Sequence, residues 1–87
     1  MIKEAKTILG IDPGTNILGF GIVRVDASGK AHYVDMGVLD LRRIESPYEK
    51  LKVIGDKVSA LCELYQPSDL AIESPFYGRN AQVIFKL

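Results

Sequence analysis

The sequence predicts an α/β domain in which a three-stranded antiparallel meander is followed by a helix and a fourth strand parallel to the first. Three observations carry this prediction. Short β-forming runs in the first half are separated by tight-turn residues. One long amphipathic stretch then opens on a clear helix start. Finally, the apolar run Leu70-Ala71-Ile72 ends on a carboxylate and a breaker, Glu73-Ser74-Pro75, just as Ile8-Leu9-Gly10-Ile11 ends on Asp12-Pro13-Gly14.

Thr7 to Asp12 is a near-continuous apolar run, the pattern of a central strand covered on both faces. Asp12-Pro13-Gly14-Thr15-Asn16 is turn chemistry: Pro13 fixes φ, and Gly14 can take a conformation closed to other residues. Leu18 to Val25 forms the second strand, with Leu18, Phe20 and Ile22 on one face and Gly19, Gly21 and Val23 on the other. Two glycines on one face weaken a strand, so they mark the close approach of something large. Asp26-Ala27-Ser28-Gly29-Lys30 makes a hairpin connection. The third strand runs from about Ala31 to Leu41, with Tyr33, Asp35 and Gly37 alternating against Val34, Met36 and Val38.

Ser46-Pro47-Tyr48-Glu49 opens the helix: Ser46 as N-cap, Pro47 in the first helical position, Glu49 completing a capping box. Tyr48, Leu51, Ile54, Val58, Leu61 and Tyr65 then recur at three- and four-residue steps along one face, until Gln66-Pro67 stops the helix. Asp69 to Glu73 is the fourth strand, Ser74 to Arg79 a loop, and Asn80 onward the start of a second helix. A helix between strands three and four supplies the crossover that lays strand four parallel to strand one. If those two strands are neighbours, Asp12 and Glu73 leave the same end of the sheet roughly 4.8 Å apart.

The chain has 87 residues, room for one small domain near the lower end of what buries an adequate core. Eleven basic residues balance eleven acidic ones, so bulk charge gives no push towards nucleic acid or membrane, though a local basic patch stays open. Cys62 is the only cysteine, which excludes an intrachain disulfide and a thiolate metal site. It falls within the helix pattern as a small apolar residue. Apolar stretches are far short of the roughly 20 residues that span a bilayer, and the N-terminus lacks a signal-peptide core. The expected location is cytoplasmic.

The chemistry rests on Asp12 and Glu73. Carboxyl ends of strands are where ligands collect in α/β sheets, and a pair of carboxylates there suits Mg²⁺, a hard cation that takes oxygen ligands and is completed by phosphate substrate. Each has a bland reading, Asp12 as a turn former before Pro-Gly and Glu73 as a strand-end charge facing water. Matching strand ends weigh against both. Arg42-Arg43, ahead of the helix cap, reads as exposed surface rather than a nucleic-acid contact, and His32 falls far from the carboxylates.

Gly10-Ile11-Asp12-Pro13-Gly14-Thr15 with Gly19-Phe20-Gly21, and Ala71-Ile72-Glu73 with Phe76, Arg79-Asn80-Ala81 and Lys86-Leu87, resemble the RuvC-type Holliday junction resolvases of the ribonuclease H-like superfamily. The resemblance runs over essentially the whole chain. It implies a ribonuclease H-like fold with helices on the sheet faces, and a Mg²⁺-dependent endonuclease that cuts four-way DNA junctions as a homodimer, with Mn²⁺ able to substitute. Asp12 and Glu73 become catalytic metal ligands. Phe76 matches an aromatic that stacks on unpaired bases near the crossover, and Arg79, Asn80, Gly14 and Thr15 are the expected DNA contacts. Branch-migration proteins of the RuvA/RuvB type are the implied partners. The family's further acidic residues lie on a helix near the C-terminus of a longer domain. Residues 1–87 therefore read as the N-terminal part of the nuclease domain, lacking the C-terminal strand and helices and expected not to cut DNA alone.

Away from that resemblance, Phe76 and Tyr77 fit edge packing, and Arg79 fits a solvated surface charge. The main rival is the actin-like and sugar-kinase ATPase class, whose similar first turn would make Gly14-Thr15 a nucleotide-phosphate loop. Two weaker rivals are a related RNA-processing family and a non-catalytic DNA-binding fragment.

Overall fold

A computed structural model describes residues 5–14, 16–76 and 79–87, with side chains as far as Ile72 and at Ile84, Lys86 and Leu87. The elements run β1 (Lys6–Asp12), β2 (Ile17–Val25), β3 (Ala31–Asp40), α1 (Pro47–Tyr65), β4 (Asp69–Phe76) and β5 (Arg79–Lys86). They form one sheet in the order β3-β2-β1-β4-β5. The meander and the parallel β1–β4 pair expected from sequence are both present.

Local chemistry explains most boundaries. The β2–β3 hairpin closes through Gly29 N–H to the Asp26 carbonyl and Asp26 N–H to the Lys30 carbonyl, both 2.9 Å, with Gly29 at φ +88° where a side chain is strained. The Asp26 carboxylate accepts from the Ser28 hydroxyl, from His32 and from the Ser28 and Lys30 N–H groups, with the Ser28 hydroxyl the main cause holding its pKa well below the usual range. The α1 start keeps the expected N-cap and half of the capping box: Ser46 Oγ accepts the Glu49 N–H and Pro47 leads the helix, while the Glu49 carboxylate takes no bond from the Ser46 N–H. Gln66 ends it in a left-handed conformation, its N–H bonded to the Cys62 carbonyl.

The core lies on one face of the sheet. Leu9 and Ile11 of β1, Leu18 and Ile22 of β2, Leu41 just after β3 and Leu61 of α1 are buried, with Val58, Cys62 and Leu70 packed against them. Tyr65 donates to the Asp35 carboxylate at 2.7 Å, and the Lys57 ammonium sits 5.1 Å from the Phe20 ring centre. Among the described residues no helix is long and apolar enough to cross a membrane.

Four expectations from sequence change. First, β1 is covered on one face, because the described chain holds a single helix. The other face is an open trough of about 800 Å³ floored by Gly10, Gly19 and Gly21 and walled by Tyr33, Met36 and Val38. Second, Tyr33 joins Met36 and Val38 on that face. A register irregularity at Ile22/Val23 leaves Val34 without a partner and reverses the alternation there. Third, Tyr48 and Leu51 are exposed, at 78% and 68%. The packed face of α1 begins further along, with Val53, Ile54, Val58, Leu61, Cys62 and Tyr65 against the core.

Fourth, the expected loop from Ser74 and helix from Asn80 are replaced by β4 reaching Phe76 and by β5. β5 pairs antiparallel with β4 from Asp69↔Lys86 to Phe76↔Arg79. Val83, Ile84 and Phe85 are strand formers, and β4 without β5 would present an open edge of unpaired backbone groups.

The two partners of β4 are pinned at its start. Ser68 N–H donates to the Thr7 carbonyl at 2.9 Å and Leu87 N–H to the Ser68 carbonyl at 2.8 Å. Asp69, 4% exposed, accepts from Lys86 at 2.8 Å and from Lys6 at 3.5 Å. The Lys86 hydrogen bond is the main cause that lowers the Asp69 pKa, against burial, which raises it. A carboxyl with a lower pKa folded than unfolded stabilises the fold above pH ~4 and loses that contribution as pH falls through the folded value. Asp69→Asn is therefore expected to lower Tm at pH 7 and to narrow the difference in Tm between pH 7 and pH 3; thermal melts at both pH values check this.

Candidate functional site

Asp12 is the last residue of β1 and is exposed. The parallel register runs from Ile8↔Asp69 to Ile11↔Ile72, so one step further Asp12 and Glu73 occupy matching positions on neighbouring strands. Neighbouring strands are roughly 4.8 Å apart. The side chain of Glu73 lies outside the described residues, as do those of Phe76, Arg79 and Asn80, whose strands alone are placed. Thr15 and Tyr77 lie outside them altogether.

The environment of Asp12 separates it from the other strand aspartates. Asp35 is bonded to Tyr65, Asp40 to Arg42, and Asp69 to two lysines. Asp12 has no hydrogen bond or ion pair with any described residue. On its β2 side it faces Gly19, where an added Cβ would lie 3.7 Å from the Asp12 Cβ. The absence of a side chain there leaves the carboxylate open to the trough it helps to line.

The turn after Asp12 is shaped by Gly14, for a reason other than the one sequence suggested. Its φ is not positive. A Cβ at Gly14 would instead run into the Ile17 carbonyl oxygen, so close backbone approach, not a left-handed conformation, excludes other residues.

β1, β3 and β4 run in the same direction, so the end of β3 shares the rim with Asp12. Leu41 N–H donates to the Asn16 carbonyl at 2.7 Å, tying the two loops together. Asp40 accepts the Arg42 N–H at 3.0 Å and its guanidinium at 2.7–3.2 Å, and the Arg42 hydrogen bonds lower the Asp40 pKa to about 2. Arg43 is exposed. His32 bonds Asp26 at the opposite end of the sheet. Sequence patterning missed this shared rim, although the meander topology implies it: a third strand in an antiparallel meander must run parallel to the first.

No three His, Cys, Asp or Glu side chains converge among the described residues. The Asp12 carboxylate is a hard oxygen donor, which suits Mg²⁺ or Mn²⁺ and does not suit thiophilic metals.

A meander whose first strand, ending on Asp12, pairs in parallel with the Glu73-bearing strand after a helix crossover is the ribonuclease H-like arrangement. Within it, the family model for crossover junction endodeoxyribonuclease RuvC matches residues 8–87, and the chain belongs to that family. It is 46% identical over 86 residues to crossover junction endodeoxyribonuclease RuvC of Bacteroides fragilis, covering 99% of this chain and 45% of that protein. It is 41% identical over 87 residues to the same enzyme of Christiangramia forsetii, covering 100% and 45%. The solved structure of Thermus thermophilus RuvC superposes with a TM-score of 0.73 at 29% identity, covering 88% of this chain and 48% of that one. The chain thus spans about half the length of the curated relatives it matches. The match is to a nuclease family and not to the actin-like or sugar-kinase rival.

Because a Cβ at Gly14 has no room, Gly14→Ala is expected to displace the turn after Asp12. Thermal melts should show a lowered Tm, and the variant Gly29→Asn, in the hairpin at the other end of the sheet with nothing within 4 Å, a smaller change.

Proposed function

We propose that residues 1–87 are the N-terminal part of a ribonuclease H-like nuclease domain that resolves four-way junction DNA with Mg²⁺, Mn²⁺ substituting. The carrying observation is the unpartnered Asp12 carboxylate at a β1 end whose register position is matched by Glu73. A carboxylate left without hydrogen-bond donors keeps its lone pairs for a cation. Asp12 and Glu73 are the residues that would hold the metal. Bound there, a divalent ion supplies Lewis-acid stabilisation of charge on the phosphodiester and a lowered pKa for an attacking water.

The chain's own residues do the remaining work in this reading. Gly14 and Thr15, after Asp12, contact the neighbouring DNA. Phe76 stacks on an unpaired base near the crossover, an interaction worth roughly 1–3 kcal/mol and tolerant of sequence. Arg79 and Asn80 position the neighbouring backbone through phosphate contacts. The open glycine-floored face leaves the carboxylate accessible. The assembly is a homodimer cutting paired strands, acting in the cytoplasm beside branch-migration proteins of the RuvA/RuvB type.

The test is cleavage of a synthetic four-way junction, with Mg²⁺ and with chelator, by this chain and by a form extended to the length of its relatives. The extended form should cut symmetrically and only with metal, and the 87-residue chain should not. Asp12→Asn or Glu73→Gln in the extended form should each lower the rate roughly 10²-fold or more, the scale of losing one electrostatic stabiliser of the transition state. Cleavage that survives chelator, or ATP hydrolysis in its place, would overturn the proposal.

A further inference from the structure

We propose that Arg43 is a backbone-phosphate contact for the nucleic acid held at the Asp12 rim, displayed by a rigid turn built around it. The inference rests on the nuclease reading above and adds a residue to it. Its first support is position. The register Asp12↔Gly19↔Val38 sets Val38 level with Asp12 roughly 10 Å across the sheet, and Asp40 with the turn after it continues past that point along the same rim. Phosphates along one strand repeat every ~3.4 Å of helix axis, so a phosphate a few nucleotides from one at Asp12 reaches that far. The Leu41–Asn16 hydrogen bond makes the two loops one unit, so this separation is fixed by the fold.

Its second support is how the turn is made. Leu41 is fully buried and anchors the turn in the core, and Ile44 N–H closes it on the Leu41 carbonyl at 3.1 Å. Asp40 holds both the backbone N–H and the guanidinium of Arg42, so that arginine's charge is already answered. Arg43 is left exposed, with no ion pair or hydrogen bond among the described residues. The pair therefore divides its tasks: Arg42 braces the turn and Arg43 presents a free guanidinium. A cation on a braced turn loses less freedom on binding than one on a loose loop, and a guanidinium fork matches phosphate geometry. The chain's zero net charge makes the placement of such an unanswered cation matter more than the total.

The experiment measures binding of the extended form to a four-way junction across a salt series, in Ca²⁺ to hold back cleavage, for Arg43→Ala, Arg43→Lys and Arg24→Ala. Arg24 is an exposed arginine near the opposite end of β2 and serves as the control. One phosphate contact contributes about 0.9 to the slope of log K against log salt. Arg43→Ala should therefore reduce the slope by about that amount, with Arg43→Lys recovering most of it and Arg24→Ala leaving it unchanged. Equal slopes for Arg43→Ala and the parent protein, with the junction still bound, would overturn the Arg43 assignment and leave the nuclease reading standing. Equal losses for Arg43→Ala and Arg24→Ala would also overturn it, as a general charge effect. Failure of the parent to bind the junction at all would overturn both.

Discussion

The parallel pairing of β1 with β4 is the constraint on which the rest depends. It joins residues more than sixty positions apart in sequence, from Ile8↔Asp69 to Ile11↔Ile72. Loop closure over that separation is costly in entropy, and only the burial of the α1 face against Leu9, Ile11 and their neighbours offsets it. Because side chains alternate along a strand, a slip of one residue would turn every β4 position to the other face. The slip is prevented at the strand start, where Ser68 bonds Thr7 and the buried Asp69 is held between Lys6 and Lys86. The register that aligns Asp12 with Glu73 is thus fixed at the far end of the same strands. Stability and site geometry share one set of contacts.

The site end of the sheet is built on the opposite principle. The Asp69 end is saturated with partners, whereas Asp12 has none among the described residues and is flanked by Gly19, a residue that weakens its own strand. A carboxylate left with its acceptor oxygens unmet contributes nothing to folding, which is why it reads as a functional one.

Much of this was legible in the chain itself. The Asp12 strand end, the Ser46-Pro47 helix start, the Gly29 hairpin and the β1–β4 crossover each follow from local residue chemistry plus one topological rule, whereas β4 runs on past Glu73 to Phe76. What escaped reading was non-local. Residues 79–86 mix helix formers with Val83, Ile84 and Phe85, and a short apolar run of this kind has no period of its own; the edge of β4 decides it as a strand. The irregularity beside Val34 depends on counting partners across two strands, so the exposure of Tyr33 could not be read from alternation. The helical period placed Tyr48 and Leu51 on the packed face, whereas the core takes up α1 only from Val53 onward. Gly14 was singled out correctly as a required glycine, but the requirement is the Ile17 carbonyl behind it.

The central claim is that Asp12 and Glu73 act on one cation. A titration of Mn²⁺ followed by electron paramagnetic resonance, on the parent, Asp12→Asn, Glu73→Gln and the double variant, tests it most directly. A shared site predicts that either substitution weakens binding by a similar factor and that the double variant is little worse than either single one, a strong departure from additivity. Additive losses, or a loss from only one of the two, would mean that the carboxylates do not share a metal and that their common register has another cause.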